Sequence, residues 1–189
     1  MAIFTILTDY YSYDPPLAGT YPTIGDAIAA ALPGDTIILG DGYGPETVTI
    51  TQNDITILGT LSSLGIELLI ADGVSGLVLT GDAPINVTDS LGANVIAGND
   101  GDNVMTSTGG IDVFDGGLGV DRLVVDYSLA VGVVTATTAA IGSDLGTVGI
   151  TGIENYTVLT GSGADVLTFT TADGENYIDA GEGANTIVV

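Results

Sequence analysis

Residues 89–124 read DSLGANVIA, GNDGDNVMT, STGGIDVFD and GGLGVDRLV, four consecutive nine-residue blocks with no insertion between them. Glycine holds the fourth place of each block, as Gly92, Gly101, Gly110 and Gly119. The sixth place holds Asn94, Asn103, Asp112 or Asp121, and the eighth holds Ile96, Met105, Phe114 or Leu123. Three columns locked to one period mark a repeat, and repeats of this kind stack into one continuous core. A glycine every nine residues permits a tight turn of positive φ, where a Cβ would clash. The acid or amide two places on supplies a hard oxygen, and carbonyls freed by the turn supply more. Calcium takes six to eight such oxygens in a tolerant geometry. The triplet that follows is a very short strand whose middle side chain points inward. Two half-turns make one coil, so blocks eighteen residues apart should stack, Asn94 over Asp112 and Asn103 over Asp121. A cation between stacked loops would bridge them; the plainer alternative is a metal-free stack of glycine and asparagine turns.

The blocks resemble the RTX (repeats-in-toxin) calcium-binding nonapeptide, and GGLGVDRLV at residues 116–124 matches that consensus in full. The resemblance implies a parallel β-roll that binds calcium. It also implies export by bacterial type I secretion, directed by an uncleaved C-terminal signal. The terminal GANTIVV has the apolar cluster of such signals, although a last strand would look the same.

Composition narrows the function classes. Twenty-four acidic residues face a single basic one, Arg122, with no histidine, for a net charge of −23. Such a chain has nothing with which to neutralise phosphates, which argues against nucleic acid, and it is unsuited to an anionic membrane surface. Only 13% of residues are charged while 46% are hydrophobic, so this is not a disordered acidic tail. No apolar run approaches the length needed to span a bilayer. The acid sits in turns, where divalent cations are the natural counter-charge, and this points to a calcium-rich extracellular or cell-surface location. MAIFTILTDYYSYD lacks the basic flank of a secretory signal, so export without a cleaved N-terminal peptide is expected. The absence of cysteine is neutral on this point.

In chain order, residues 1–20 read as a strand followed by an aromatic, proline-broken loop containing Tyr10, Tyr11 and Tyr13. Residues 21–88 open with a short alanine-rich helix, AIAAAL, which ends at Pro33-Gly34, and continue as β-branched runs. From about Tyr21 to Gly59 this resembles the start of pectin-lyase-like right-handed β-helices, whose first coil is capped by a helix. Apolar runs then recur every eight to ten residues, so one continuous array without a boundary near residue 88 is expected. Residues 89–124 are the calcium repeats and 125–160 a spacer with longer strands. In residues 161–189 the repeat resumes, with Gly163, Asp165 and Leu167, then Gly174, Asn176 and Ile178, then Gly183, Asn185 and Ile187. The predicted fold is therefore all-β, a right-handed parallel β-helix or β-roll solenoid with one N-terminal capping helix.

The candidate calcium ligands are Asn94, Asn103, Asp112, Asp121, Asp165, Asn176 and Asn185, with Asp100 and Asp102 beside Gly101 and carbonyls around Gly92, Gly101, Gly110 and Gly119. Glu154 and Asp126 are within reach of those loops. Asp72, Asp82 and Asp89 read as solvated turn carboxylates, and Arg122 as a surface residue facing Asp126. The seven eighth-place side chains should all be buried.

β-Helix relatives include polysaccharide lyases and epimerases, which need a base and a cationic group to hold the substrate acid. With neither lysine nor histidine this chain is expected not to be an enzyme. A structural protein that assembles head to tail into a filament, sheath or surface layer is the leading expectation, its C-terminal edge from Asn185 meeting the Ala2–Leu7 strand of the next copy. The alternative is a calcium-loaded adhesion module whose partner is an extracellular polysaccharide, stacked on Tyr10, Tyr11, Tyr13 and Tyr21.

Overall fold

The computed structural model describes residues 1–7, 18–60, 62–169 and 174–188. In chain order they form β1 (Ile3–Ile6), β2 (Thr20–Tyr21), helix α1 (Ile24–Ala30), β3 (Thr36–Leu39), β4 (Glu46–Ile50), β5 (Ile55–Gly59) and β6 (Ile66–Ile70). Next come β7 (Gly76–Gly81), β8 (Ile85–Thr88), β9 (Val95–Ala97), β10 (Val104–Ser107), β11 (Gly110–Asp115) and β12 (Arg122–Asp126). The remainder are β13 (Thr135–Ala136), β14 (Ala140–Ser143), β15 (Gly146–Thr151), β16 (Asn155–Leu159), β17 (Val166–Thr168), β18 (Tyr177–Asp179) and β19 (Thr186–Val188). The chain is mostly β, with one helix and long parallel sheets.

From β3 to β12 successive strands fall alternately into two sheets, one of twelve strands and one of seven, so each strand pairs with its next-but-one neighbour in sequence. The residue step between paired positions is twenty at Thr36–Thr56 and twenty-two at Ile55–Leu77. It falls to eighteen at Val95–Val113 and at Val104–Arg122, which is twice the nine-residue period. Asn94 therefore stacks on Asp112 and Asn103 on Asp121. Both sheets run through residue 88, because β7 pairs with β9 and β8 with β10.

Period-two alternation puts every second side chain between the sheets. Stacking turns those side chains into columns. One runs Ile55, Leu77, Ile96, Phe114, Ile150 in the large sheet. Another runs Val48, Leu68, Val87, Met105, Leu123, Tyr156 in the small one. All eleven are buried. Of the seven eighth-place residues, Ile96, Met105, Phe114, Leu123 and Leu167 are buried as expected. Ile178 is only partly covered, and Ile187 is exposed over 47% of its surface. The reason is positional: β19 is an outermost strand, paired with β17 on one side only.

The spacer departs from all-parallel pairing. β14 runs antiparallel to both β13 and β15, folding a three-stranded meander into the large sheet. The turn between β13 and β14 is closed by Thr137, whose Oγ1 accepts the N–H groups of Ala139 and Ala140. In the next turn the Ser143 hydroxyl accepts the N–H of Leu145. Short polar turns of this kind suffice for antiparallel neighbours, whereas a parallel return needs a crossover.

The helix begins three residues before the expected AIAAAL. Thr23 caps it, its Oγ1 accepting the Asp26 N–H at 3.0 Å. The Glu46 carboxylate accepts the N–H groups of Ile24 and Gly25. Three of the four N–H groups that a helix start leaves unpaired are thus satisfied from outside the helix ladder. Ile24, Ala27 and Ile28 face the core. β1 is not a sheet edge, because β2 returns to pair with it in parallel and takes the outer place.

Candidate metal-binding turns

The sixth-place residues do not point into solvent. Asn94, Asn103, Asp112, Asp121 and Asp165 are all at least 98% buried. Each acidic one reaches back to the unit before it. Asp112 Oδ1 accepts the Asn94 N–H at 2.9 Å, and Asp121 Oδ1 accepts the Asn103 N–H at 2.7 Å. Asp165 Oδ1 accepts the Val134 N–H at 2.8 Å. The amides tie in the same direction, Asn94 Nδ2 donating to the Val74 carbonyl and Asn103 Nδ2 to that of Ile85. Asn185 Oδ1 accepts the Asp165 N–H at 2.9 Å, and Asn176 Oδ1 accepts that of Tyr156 at 3.0 Å; both are half-buried. The column is thus a ladder of side chain to backbone bonds that locks each layer onto its neighbour.

The second oxygen of each buried acid is different. Oδ2 of Asp112, Asp121 and Asp165 is buried and has no hydrogen-bond partner. A buried carboxylate oxygen without a donor is costly. Burial first, and then the charges of Glu154, Asp102 and Asp115, push the Asp121 carboxyl up to about 7. Burial likewise raises Asp112. Glu154 holds the next rung of the ladder, its Oε2 accepting the Asp121 N–H at 2.8 Å. Asp102 Oδ1 accepts the Val120 N–H at 2.8 Å from an exposed position, while Asp100 is exposed on the same loop. Asp126 lies apart from this group, its Oδ1 accepting the Ser128 N–H.

The turn glycines divide into two kinds. Gly110 and Gly119 have φ of 119° and 108°, the region that a Cβ disfavours. Gly92 and Gly101 do not have positive φ, against the expectation that all four would. At Gly101 the need is steric, since a Cβ would lie 2.6 Å from the Asp82 carbonyl oxygen, whereas at Gly92 it would meet only Ser90 Oγ at 3.4 Å. Gly116 packs closest to the acid column: a Cβ there would meet the Gly152 carbonyl oxygen at 2.0 Å and Asp121 Oδ2 at 2.6 Å.

No protein-family model, curated protein or solved structure matches this chain. The reading of the site therefore rests on its own geometry. Among the described residues, no three of His, Cys, Asp and Glu converge as a metal-holding group. The acids around Asp121 act on it electrostatically without meeting at one point. A calcium site in these turns would draw much of its shell from amide and carbonyl oxygens, which the loops hold in abundance. The orphan oxygens of Asp112, Asp121 and Asp165 fit a hard cation.

Several expectations change. Asp89 is 95% buried, not a solvated turn acid, because its Oδ1 accepts both the N–H and the hydroxyl of Thr108 in the next layer. Asp72 is exposed and Asp82 half-buried. Arg122 does not face Asp126; its guanidinium donates to Thr157 Oγ1 and to the Glu175 carbonyl. Tyr21 is half-buried and packs on Phe4 with ring centroids 5.4 Å apart, which removes it from an open stacking surface. Tyr10, Tyr11 and Tyr13 lie outside the described residues. A signal for Asp89 was present in the sequence. The first places of the blocks alternate Asp89, Gly98, Ser107, Gly116, so one side of the stack carries polar side chains where the other carries none. No described helix is long and apolar enough to cross a membrane.

Proposed function

We propose that the chain is a right-handed parallel β-solenoid that binds calcium in its repeat turns. In this reading it is a secreted structural protein, with no enzymatic activity, that assembles end to end into an extracellular filament, sheath or surface layer. The observation that carries the calcium reading is the row of buried, partnerless Oδ2 atoms on Asp112, Asp121 and Asp165 in a chain of net charge −23. Its single side-chain cation, on Arg122, is occupied elsewhere. Bound calcium would supply the positive charge that those oxygens lack and would weaken repulsion between neighbouring turns and between copies. Glu154 and Asp102 would be the acidic groups nearest to an ion at Asp121.

Support for assembly comes from the sheet edges. β19 and β18 end the two sheets on one side, and Thr186, Ile187 and Val188 are all exposed. Open edges of this kind invite pairing. At the opposite side β2 ends the large sheet and β4 the small one. Because β2 lies outside β1, the Ala2–Leu7 strand does not end the sheet and is not the docking edge for the next copy. A heterologous contact that does not close propagates into a fibre.

Circular dichroism and electron microscopy of the full chain, first in chelator and then in millimolar calcium, test both parts. Calcium should raise the melting temperature and give filaments or sheets. An unchanged melting temperature would defeat the calcium reading. Persistent monomers at high concentration in calcium would defeat assembly, and the adhesion-module reading, with an extracellular polysaccharide as partner, would replace it.

A further inference from the structure

Asp89 and Asp112 each leave one interior carboxylate oxygen outside the layer-to-layer bonding. Asp89 Oδ2, Ser107 Oγ, Asp112 Oδ2 and Tyr127 OH are four buried polar atoms without a hydrogen-bond partner. They belong to one neighbourhood. Asp89 is pushed up to about 6 by burial first, with Thr108, Asp112 and Ser107 acting on it as well. The Tyr127 hydroxyl is pushed up to about 12 by burial and then by the charges of Asp112 and Asp89, with Ser107 again beside it. The four groups are near enough to polarise one another, while these four atoms themselves make no hydrogen bond. Ser107 and Tyr127 have no exposed surface at all.

The local sequence explains the cluster. Asp89 and Ser107 stand eighteen residues apart at the first place of blocks one and three, where blocks two and four have Gly98 and Gly116. β10 and β12 align Ser107 with Val125, two residues before Tyr127. Side chains thus fill a column that is empty on the opposite side of the stack. A cavity of about 480 Å³, lined in part by Leu91, Ser107, Thr108, Asp126, Ser128 and Leu129, lies beside the cluster at Ser107.

We infer that Asp89, Ser107, Asp112 and Tyr127 form an internal hard-cation site, with calcium as its first candidate occupant, that shares Asp112 with the repeat turns. Two carboxylates match a double positive charge, and the serine and tyrosine oxygens add neutral donors of the type such ions accept. Without the ion, two acids face each other in the core with no cationic side chain beside them. The site rests on the turn reading at Asp112 and adds to it the first-place column and the Tyr127 hydroxyl, so that Asp121→Asn probes the turns apart from it.

Terbium serves as the probe, since it replaces calcium and is sensitised by nearby tyrosine; the chain has no tryptophan to compete. With the full chain, Asp89→Asn should bind one ion fewer than the parent. Tyr127→Phe, which keeps the ring in the core, should lose the tyrosine-excited emission of the internal ion. Emission from an ion near Glu154, which Tyr156 neighbours, should persist. In chelator Asp89→Asn should melt no lower than the parent, because it removes an uncompensated charge. Unchanged ion stoichiometry in Asp89→Asn together with unchanged emission in Tyr127→Phe would overturn the site, leaving a shared proton or a water molecule as the occupant. Should Asp89→Asn not fold, the Tyr127→Phe emission decides. Loss of an ion in Asp121→Asn but not in Asp89→Asn would sustain the turn sites alone. The reverse would sustain the internal site alone, and no ion bound by the parent would sink both.

Discussion

Phe114 has no exposed surface and stands between Ile96 and Ile150 in the large-sheet column. Its removal leaves a cavity that flanking layers, held by their own ladders, cannot close. Phe114→Ala should therefore cost about 3–5 kcal/mol in chemical denaturation, the usual range for a buried aromatic truncation. The acids behave differently. Asp121 titrates at about 7 in the fold, against roughly 3.9 for a free aspartate, so the folded state holds a proton that the unfolded chain has already lost. Stability must then fall as pH rises through that window. Chelated protein should melt at a higher temperature at pH 5 than at pH 8, with calcium restoring most at pH 8. A chelated melting temperature that climbs between those values would contradict the buried state of Asp121. The sixth-place column itself was plain from spacing. That its side chains turn inward was not, because a period gives a position on the chain and not the direction of a side chain in a loop.

Helix α1 and the acid-bearing turns show how elements depend on partners distant in sequence. Thr23 caps the helix from next door, and its loss removes two bonds to Asp26, one accepted from the N–H and one donated to the carboxylate. Thr23→Ala should destabilise by about 1 kcal/mol, measurable as a small shift in the denaturation midpoint with unchanged assembly. Glu46 completes the cap from more than twenty residues away, which is why the helix starts earlier than the run of alanines suggests. Gly116 is the corresponding weak point of the turns. Alanine there would press on the Gly152 backbone and on Asp121 Oδ2. Gly116→Ala should both lower the melting temperature by several degrees and weaken calcium binding, whereas Gly92→Ala should change neither appreciably. Titration calorimetry of the two variants side by side checks this. Equal behaviour would mean that the turn around Asp121 has slack that its packing does not show.

At the scale of the whole molecule, the question is which edge is free. Thr186 donates to Asp165 and Val188 accepts from Phe169. By strand alternation Ile187 therefore turns its N–H away from β17. Ile187→Pro removes that outward donor without touching the inward pairing, and proline is tolerated on edge strands. The variant should keep the parent melting temperature in calcium yet form no filaments; filaments of normal length would exclude β19 as the joining edge. Much of this architecture was written in the chain. The nine-residue period set the eighteen-residue step of the stack, the inward Ile96, Met105, Phe114 and Leu123, and the strand alternation, because short-range periodicity acts through local geometry. Three things were decided only by tertiary structure. The return of residues 20–21 placed β2 outside β1. Polar turns at Thr137 and Ser143 folded the spacer back as an antiparallel meander. The stacking of first-place residues drew Asp89 inward to face Asp112. Each depends on contacts between residues far apart in sequence, whose closing is governed by what can be buried together and not by any pattern within a short window.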